Sequence, residues 1–235
     1  VMLTKFYKVE SYIANKLVSM KHTFSSEEID VSREISEYEM MNGITLHANQ
    51  KEAVQMAVNS GVCVITGGPG TGKTTIVKCL LECLKRQRKS VLLLAPTGRA
   101  SKRLSESTGE DAKTIHRALD LDFKNGNGVF FTRDDKNPLS QDAIIVDEVS
   151  MVDSVLMSAL VKAIKPSAQL IMVGDKDQLP SVGAGNVLSD ILSSKLIPTC
   201  MLTEIYRQDS HSYIITNAHL INSGKMPILD NSSKD

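Results

Sequence analysis

The sequence predicts a doubly wound α/β domain, and three observations carry that expectation. Five short, nearly uninterrupted apolar runs recur at 62–66, 91–95, 143–147, 170–174 and 199–202, which is how strands read when helices cover both faces of a parallel sheet. Helical patterns separate them, with Ile76, Val77, Leu80, Leu81 and Leu84 sharing one face and Val155, Leu156, Ala159, Leu160 and Ala163 another. A glycine-rich turn joins the first run to the first of these helices, and sheets of this kind gather ligands at the carboxyl ends of their strands.

A chain of 235 residues has room for one large α/β domain or for one with a small appendage. Its 42% hydrophobic and 23% charged residues are those of a globular protein that buries a sizeable core. Lys and Arg number 27 and so do Asp and Glu; contact with nucleic acid must therefore come from local patches, not from an overall basic field. No run approaches the roughly 18 apolar residues of a membrane span, and the start VMLTKFYKVE lacks the apolar core of a secretory signal. The expected location is cytoplasmic, with no membrane partner. The four cysteines have no zinc-ligand spacing and read as buried free thiols.

Residues 1–45 read as a helical linker or the end of a preceding domain, and residues 46–235 as the ligand-binding domain. Val9, Tyr12, Ile13, Leu17 and Met20 recur at helical spacing, and Ser25-x-x-Glu28 fits a capping box for a second helix. Such a lead-in is too short for a core of its own and is expected to pack on the larger domain. A helix is expected over 49–60, stopped by Gly61. The stretch VCVITGGPGTGKTT then places Gly67, Gly72, Lys73 and Thr74 at the spacing G-x-x-x-x-G-K-[ST], with a strand before and a helix after. Glycines let the backbone curl until its N–H groups converge on phosphate oxygens at the positive end of the helix. Lys73 is placed to reach the β- and γ-phosphates of a nucleoside triphosphate, and the Thr74 hydroxyl to hold Mg²⁺. Gly68, Gly70, Thr71, Gly72 and Thr75 complete the phosphate set. Gln50 offers an amide donor and acceptor with which to read an adenine edge, though it suits a helix start as well. Lys85 to Lys89 end a helix, where cations complement its dipole.

After the second run, APTGRASKRLSE brings Pro96, Thr97, Arg99, Lys102 and Arg103 to a helix start, which suits a phosphodiester backbone and equally a solvated helix. In KTIHRAL, His116 could stack on a base and Thr114 bond a phosphate. Between 120 and 141 the pattern lapses, and Asn125-Gly126-Asn127-Gly128 beside Val129, Phe130 and Phe131 reads as a hairpin. Directly after the third run stand Asp147 and Glu148, the first suited to supporting the metal and the second to positioning and deprotonating an attacking water. Gln178 follows the fourth run, where a neutral amide can bond the γ-phosphate or that water. Arg207 follows the fifth and could stabilise charge on the γ-phosphate. The tail 230–235 is polar and expected to fray.

In this order GGPGTGKTT, LLLAPTGRASKRLSE, TIHRAL, IIVDEVSMVD, MVGDKDQLPSVGAGNVLSDIL and LTEIYRQ resemble the motifs of superfamily 1 DNA helicases. The RecD-like branch, with the exonuclease V alpha subunit and its stand-alone relatives, is the most similar. The similarity runs from Leu46 to Pro227, and FYKVESYIANKL resembles the segment that precedes the motor in that branch. It implies a RecA-like P-loop fold, ATP hydrolysis with Mg²⁺, 5′ to 3′ translocation on single-stranded DNA, and nuclease or helicase subunits as further partners. By position, Gln50 is the adenine reader, Lys73 and Thr74 form motif I, and Thr97 with Arg99 motif Ia. Asp147 and Glu148 are motif II, Gln178 motif III and Arg207 motif IV. Val149 stands where the family usually has Ala. From Arg207 the sequence runs only to Asp235, which leaves no room for a second RecA-like domain. The expectation is the first motor domain of a longer protein, nearly inactive when isolated. A nucleotide-dependent DNA-binding module without unwinding and an RNA helicase of the same superfamily are the alternatives.

Overall fold

Alternate side chains of each apolar run go to opposite faces; in the four inner runs both faces are buried, whereas in the edge run at 199–202 Cys200 and Leu202 are buried and Thr199 and Met201 exposed. Val62 and Val64 join one core while Cys63 and Ile65 join the other; Ile144 and Val146 divide from Ala143 and Ile145 in the same way. The computed structural model describes residues 3–24, 27–122, 130–204, 213–222 and 224–229. In chain order its strands are β1 (Val62–Gly67), β2 (Val91–Ala95), β3 (Ala112–Thr114), β4 (Leu121–Asp122), β5 (Phe130–Phe131), β6 (Ala143–Val146), β7 (Gln169–Gly174) and β8 (Thr199–Leu202). Its helices are α1 (Thr4–Thr23), α2 (Ser32–Asn42), α3 (Ala48–Val58), α4 (Lys73–Arg86), α5 (Gly98–Thr108), α6 (Ile115–Ala118), α7 (Ser154–Ala163), α8 (Val187–Ser194) and α9 (Tyr213–Asn222).

Six strands form one parallel sheet in the order β3-β2-β6-β7-β1-β8. From β1 the chain passes through α4 to β2, three positions away, and later returns through β6 and β7 to β1 before reaching β8 beyond it. All six carboxyl ends therefore lie along one edge, with the turn after β1 beside those after β7 and β6. Helices α1, α7 and α8 cover one face, and α2, α3, α4 and α5 the other. The five expected runs are all strands. An additional one, β3, pairs with β2 so that Thr114 stands opposite Ala95. The expected hairpin is present as β4 and β5, antiparallel with Leu121 opposite Phe131; its turn at 125–128 lies outside the described residues.

The lead-in packs on both faces of the sheet. Ile13, Leu17 and Met20 of α1 are buried against α7, while Ile35 and Tyr38 of α2 are buried near α3 and α4; each such side chain contributes at most about 1.5–3 kcal/mol. Ion pairs tie α2 down, Glu37 to Arg86 and Glu39 to Lys51. The expected capping box involves Ser25, outside the described residues, and α2 opens only at Ser32. There Asp30 Oδ1 accepts from both the backbone N–H and the hydroxyl of Ser32.

Helix α3 stops at Val58, ahead of the expected Gly61, because another residue takes up its last carbonyls. The buried Gln169 amide donates to the carbonyls of Ala57, Val58 and Ser60 at 3.2, 3.0 and 2.8 Å. Gly61 serves close packing instead, since a Cβ there would stand 2.3 Å from Phe24 Cβ and 2.4 Å from the Met20 carbonyl. The cations ending α4 are structural in part, Lys85 pairing with Glu110 and Lys89 donating to Gln169. All four cysteines are free and buried. Among the described residues no helix is long and apolar enough to cross a membrane.

Candidate functional site

Strand β1 ends at Gly67, and the chain turns through 68–72 into α4. Gly70 and Gly72 take the left-handed backbone, with φ of 79° and 83°, which glycine adopts without the penalty of a Cβ. Thr71 is buried and its hydroxyl donates to the Gly68 carbonyl at 2.9 Å, closing the loop on itself. The Lys73 ammonium lies back along the loop, donating to the carbonyls of Gly67 at 2.6 Å and Gly68 at 3.0 Å. With Thr74 and Thr75 it opens α4, so the unpaired N–H groups of a 14-residue helix point at the loop.

Gln50 is buried beside this turn. Its amide nitrogen donates to the Thr71 carbonyl at 3.1 Å, and its oxygen accepts the His47 N–H at 3.0 Å. The residue expected to read a base thus caps the start of α3 and braces the loop as well, which leaves one N–H and one lone pair for a ligand.

Strand β6 delivers Asp147, whose N–H remains in the sheet on Leu94 O. Glu148 follows with φ 55° and ψ 42°, an uncommon conformation for a residue with a side chain. Its N–H folds back onto Asp147 Oδ1 at 2.9 Å. Burial, with the Glu148 charge beside it, pushes the Asp147 carboxyl up to about 6, against the opposing effects of that N–H and the charges of Lys73 and Arg103. One carboxylate oxygen of Glu148, Oε2, is buried with no hydrogen-bond partner among the described residues. Buried polar atoms are rarely left so.

Gln178 stands after β7, with Ser150 Oγ donating to its Oε1 at 3.4 Å. The buried Asp175 accepts the Asp177 N–H at 3.0 Å, and the Lys176 N–H donates to Thr66 Oγ1 at 3.2 Å. These bonds tie the Gln178 loop to β1; sequence reasoning assigned no role to Thr66 or Asp175.

One cavity of about 620 Å³ brings together Gln50, Gly70, Thr71, Gly72, Lys73, Thr74, Thr75, Asp147, Glu148 and Gln178. Gly68 lines the groove on the other side of the loop. The cavity has two further walls that sequence reasoning did not identify: Ile44, Thr45 and Leu46 on one side, and Ala100, Arg103, Leu104 and Ser107 of α5 on the other. The spacing of three, four and seven residues along α5 was there to be read as a single helical stripe. Arg207 lies outside the described residues.

The residues expected to meet DNA fall on the same edge of the sheet. Because Thr114 pairs with Ala95, the turns holding Pro96 and Thr97 and holding Thr114 and His116 are neighbours. Thr97 Oγ1 accepts the Ala100 N–H at 3.2 Å and Thr114 Oγ1 the Arg117 N–H at 3.1 Å, so both hydroxyls cap helices. Arg99 and His116 are exposed. The His116 ring centroid lies 5.9 Å from that of Phe131.

A family model described as an AAA domain matches residues 50–184. The ATP-dependent RecD2 DNA helicase of Deinococcus radiodurans is 38% identical over 182 residues, which cover 77% of this chain and 24% of that protein. The RecBCD enzyme subunit RecD of Mycobacterium tuberculosis is 41% identical over 166 residues, 61% of this chain and 28% of that one. The chain spans about a quarter of the length of these two relatives. Among solved structures, the Pif1 helicase from Candida albicans superposes with a TM-score of 0.56 at 24% identity, over 78% of this chain and 45% of that chain. That likeness is one of fold, a RecA-like parallel sheet with helices on both faces.

Proposed function

We propose that this chain, which belongs to the AAA domain family and within it to the RecD-like branch of superfamily 1 helicases, is the first motor domain of an ATP-driven DNA helicase. The observation that carries the reading is the single cavity in which Lys73, Thr74, Asp147, Glu148 and Gln178 meet, although they come from the ends of three different strands. The P-loop amides and Lys73 would hold the phosphates, and Gln50 with the wall at 44–46 the base.

The oxygen donors Thr74 and Asp147 suit a hard cation, and the raised Asp147 carboxyl and the Glu148 oxygen without a described partner support a cation there. They would hold Mg²⁺, which when bound offsets charge on the β- and γ-phosphates. Glu148 would take a proton from the attacking water, and Gln178 would orient that water or bond the γ-phosphate and relay its loss through the loop it begins. Pro96, Thr97, Arg99, Thr114 and His116 form the proposed track for single-stranded DNA, with backbone contacts that carry no sequence preference.

Translocation from 5′ to 3′ and strand separation belong to the whole protein. They need a second RecA-like wall, with Arg207 or an arginine from that wall acting on the γ-phosphate, and either a nuclease complex or a stand-alone helicase is a setting for it. The test is ATP hydrolysis by the full-length protein with single-stranded DNA, RNA or neither. Stimulation by DNA and ATP-dependent strand separation support the reading, preferential stimulation by RNA moves it to an RNA helicase, and binding without stimulated turnover leaves a nucleotide-dependent binding module.

A further inference from the structure

Two described cations line the nucleotide cavity, Lys73 and Arg103. Lys73 is engaged by loop carbonyls, whereas Arg103 makes no hydrogen bond or ion pair with a described residue. Its neighbour Lys102 lies a third of a turn away around α5 and pairs outward with Glu106 at 3.8 Å. The direction of Arg103 follows from the helix: Ala100, Arg103, Leu104 and Ser107 form one stripe, Leu104 is anchored in the core, and the stripe faces the cavity. At the phosphate end of that cavity stand the two carboxylates Asp147 and Glu148, and the Arg103 charge acts on Asp147 as that of Lys73 does. A triphosphate entering here meets two negative side chains; Mg²⁺ at Thr74 and Asp147 would offset part of that charge, and a side-chain cation beyond Lys73 would favour the terminal phosphate further. Among the described lining residues Arg103 is the one available.

We infer that Arg103 is a nucleotide-binding residue that contacts the terminal phosphate of a bound nucleoside triphosphate, a cation supplied from within this domain. A guanidinium presents several donors in one plane and suits phosphate oxygens. Its place in APTGRASKRLSE, one turn beyond Arg99, makes α5 a shared wall, with Arg99 at the proposed DNA track and Arg103 at the nucleotide. This rests on the reading of the cavity as a triphosphate site.

The experiment compares ADP with the non-hydrolysable analogue β,γ-imido-ATP, titrated with Mg²⁺ into the full-length protein and its Arg103→Ala, Arg103→Lys and Lys73→Ala variants. Arg103→Ala is expected to weaken the triphosphate analogue by about tenfold or more, the usual worth of a hydrogen bond to a charged group, and to leave ADP unchanged. Arg103→Lys should recover part of the loss. Equal affinities of Arg103→Ala and the unaltered protein for the analogue would overturn the inference, as would an equal loss for both nucleotides or a loss of DNA binding alone. Lys73→Ala separates the two levels of the argument. If it binds both nucleotides normally, the cavity is not the triphosphate site and both readings fall, whereas its losing both while Arg103→Ala loses neither overturns only the role of Arg103.

Discussion

Glu148 donates its backbone N–H to the Asp147 carboxylate at 2.9 Å, from a left-handed conformation that few residues with side chains adopt. The turn costs about 1–2 kcal/mol. It sets two carboxylates side by side at the end of β6, one bonded and raised to about 6, the other with a buried oxygen that meets no partner among the described residues. Strain of this kind persists where surrounding structure over-determines it, and here the following turn, Val149–Met151, is buried at Val149 and Ser150.

For Glu148→Gln the expectation is that binding of Mg²⁺ and ATP survives while turnover falls by about 10²–10⁴-fold, because the amide matches the carboxylate in shape but accepts no proton. Nucleotide titration beside steady-state hydrolysis distinguishes the roles. A parallel fall in binding would make Glu148 a metal ligand or a structural residue.

Asp147 gives the domain a pH dependence of definite sign. Its carboxyl is higher folded than unfolded, so its contribution is fully favourable below the ordinary carboxylate value of 3.8 and is lost as pH rises through about 6. Without nucleotide or metal, Asp147→Asn should therefore stabilise the fold at pH 7–8 by up to about 3 kcal/mol, the equivalent of roughly two pKa units. The gain should shrink toward pH 4. Urea unfolding in the presence of a chelator at both ends of this window checks it, and a pH-independent difference would show that the shift does not arise from Asp147.

Gly72 is fixed by two requirements at once. A side chain there is strained at φ 83°, and its Cβ would stand 2.3 Å from Gln50 Nε2. Gly72→Ala should destabilise the domain by at least about 1–2 kcal/mol and abolish tight nucleotide binding. Adding Gln50→Ala should recover the steric part and leave the backbone part. A double-mutant cycle measures the division, and strict additivity would mean that the two residues do not meet.

How much of the molecule is legible in its sequence depends on what each residue is asked to do. Four of the five apolar runs could be read because both of their faces are buried, the fifth, at the sheet edge, although Thr199 and Met201 are exposed, and the P-loop because φ above zero demands glycine at Gly70 and Gly72. Strand β3 could not: Ala112, Lys113 and Thr114 are half-buried at the edge of the sheet, and only register with β2 defines them. The end of α3 was obscured because Gln169, far along the chain, takes its carbonyls. Arg103 was hidden for a different reason. It stands among three cations of one segment, and only packing of Leu104 into the core decides which of them faces the cavity.

The proposed DNA track is best tested at Arg99, because the alternatives there are confounded by stability. Thr97 and Thr114 cap α5 and α6 with their hydroxyls, so truncating either would cost about 0.5–2 kcal/mol of fold in addition to any contact with DNA. His116 shares its ring with Phe131. Arg99 is exposed and makes no hydrogen bond or ion pair with a described residue; its loss should leave the fold intact. In the full-length protein Arg99→Ala should weaken single-stranded DNA equally for every sequence and reduce the slope of log affinity against log salt by about one, as removal of one phosphate contact requires. Binding titrations at three or more salt concentrations measure both. A sequence-selective loss would place Arg99 on a base, and an unchanged slope would return it to the solvated face of α5.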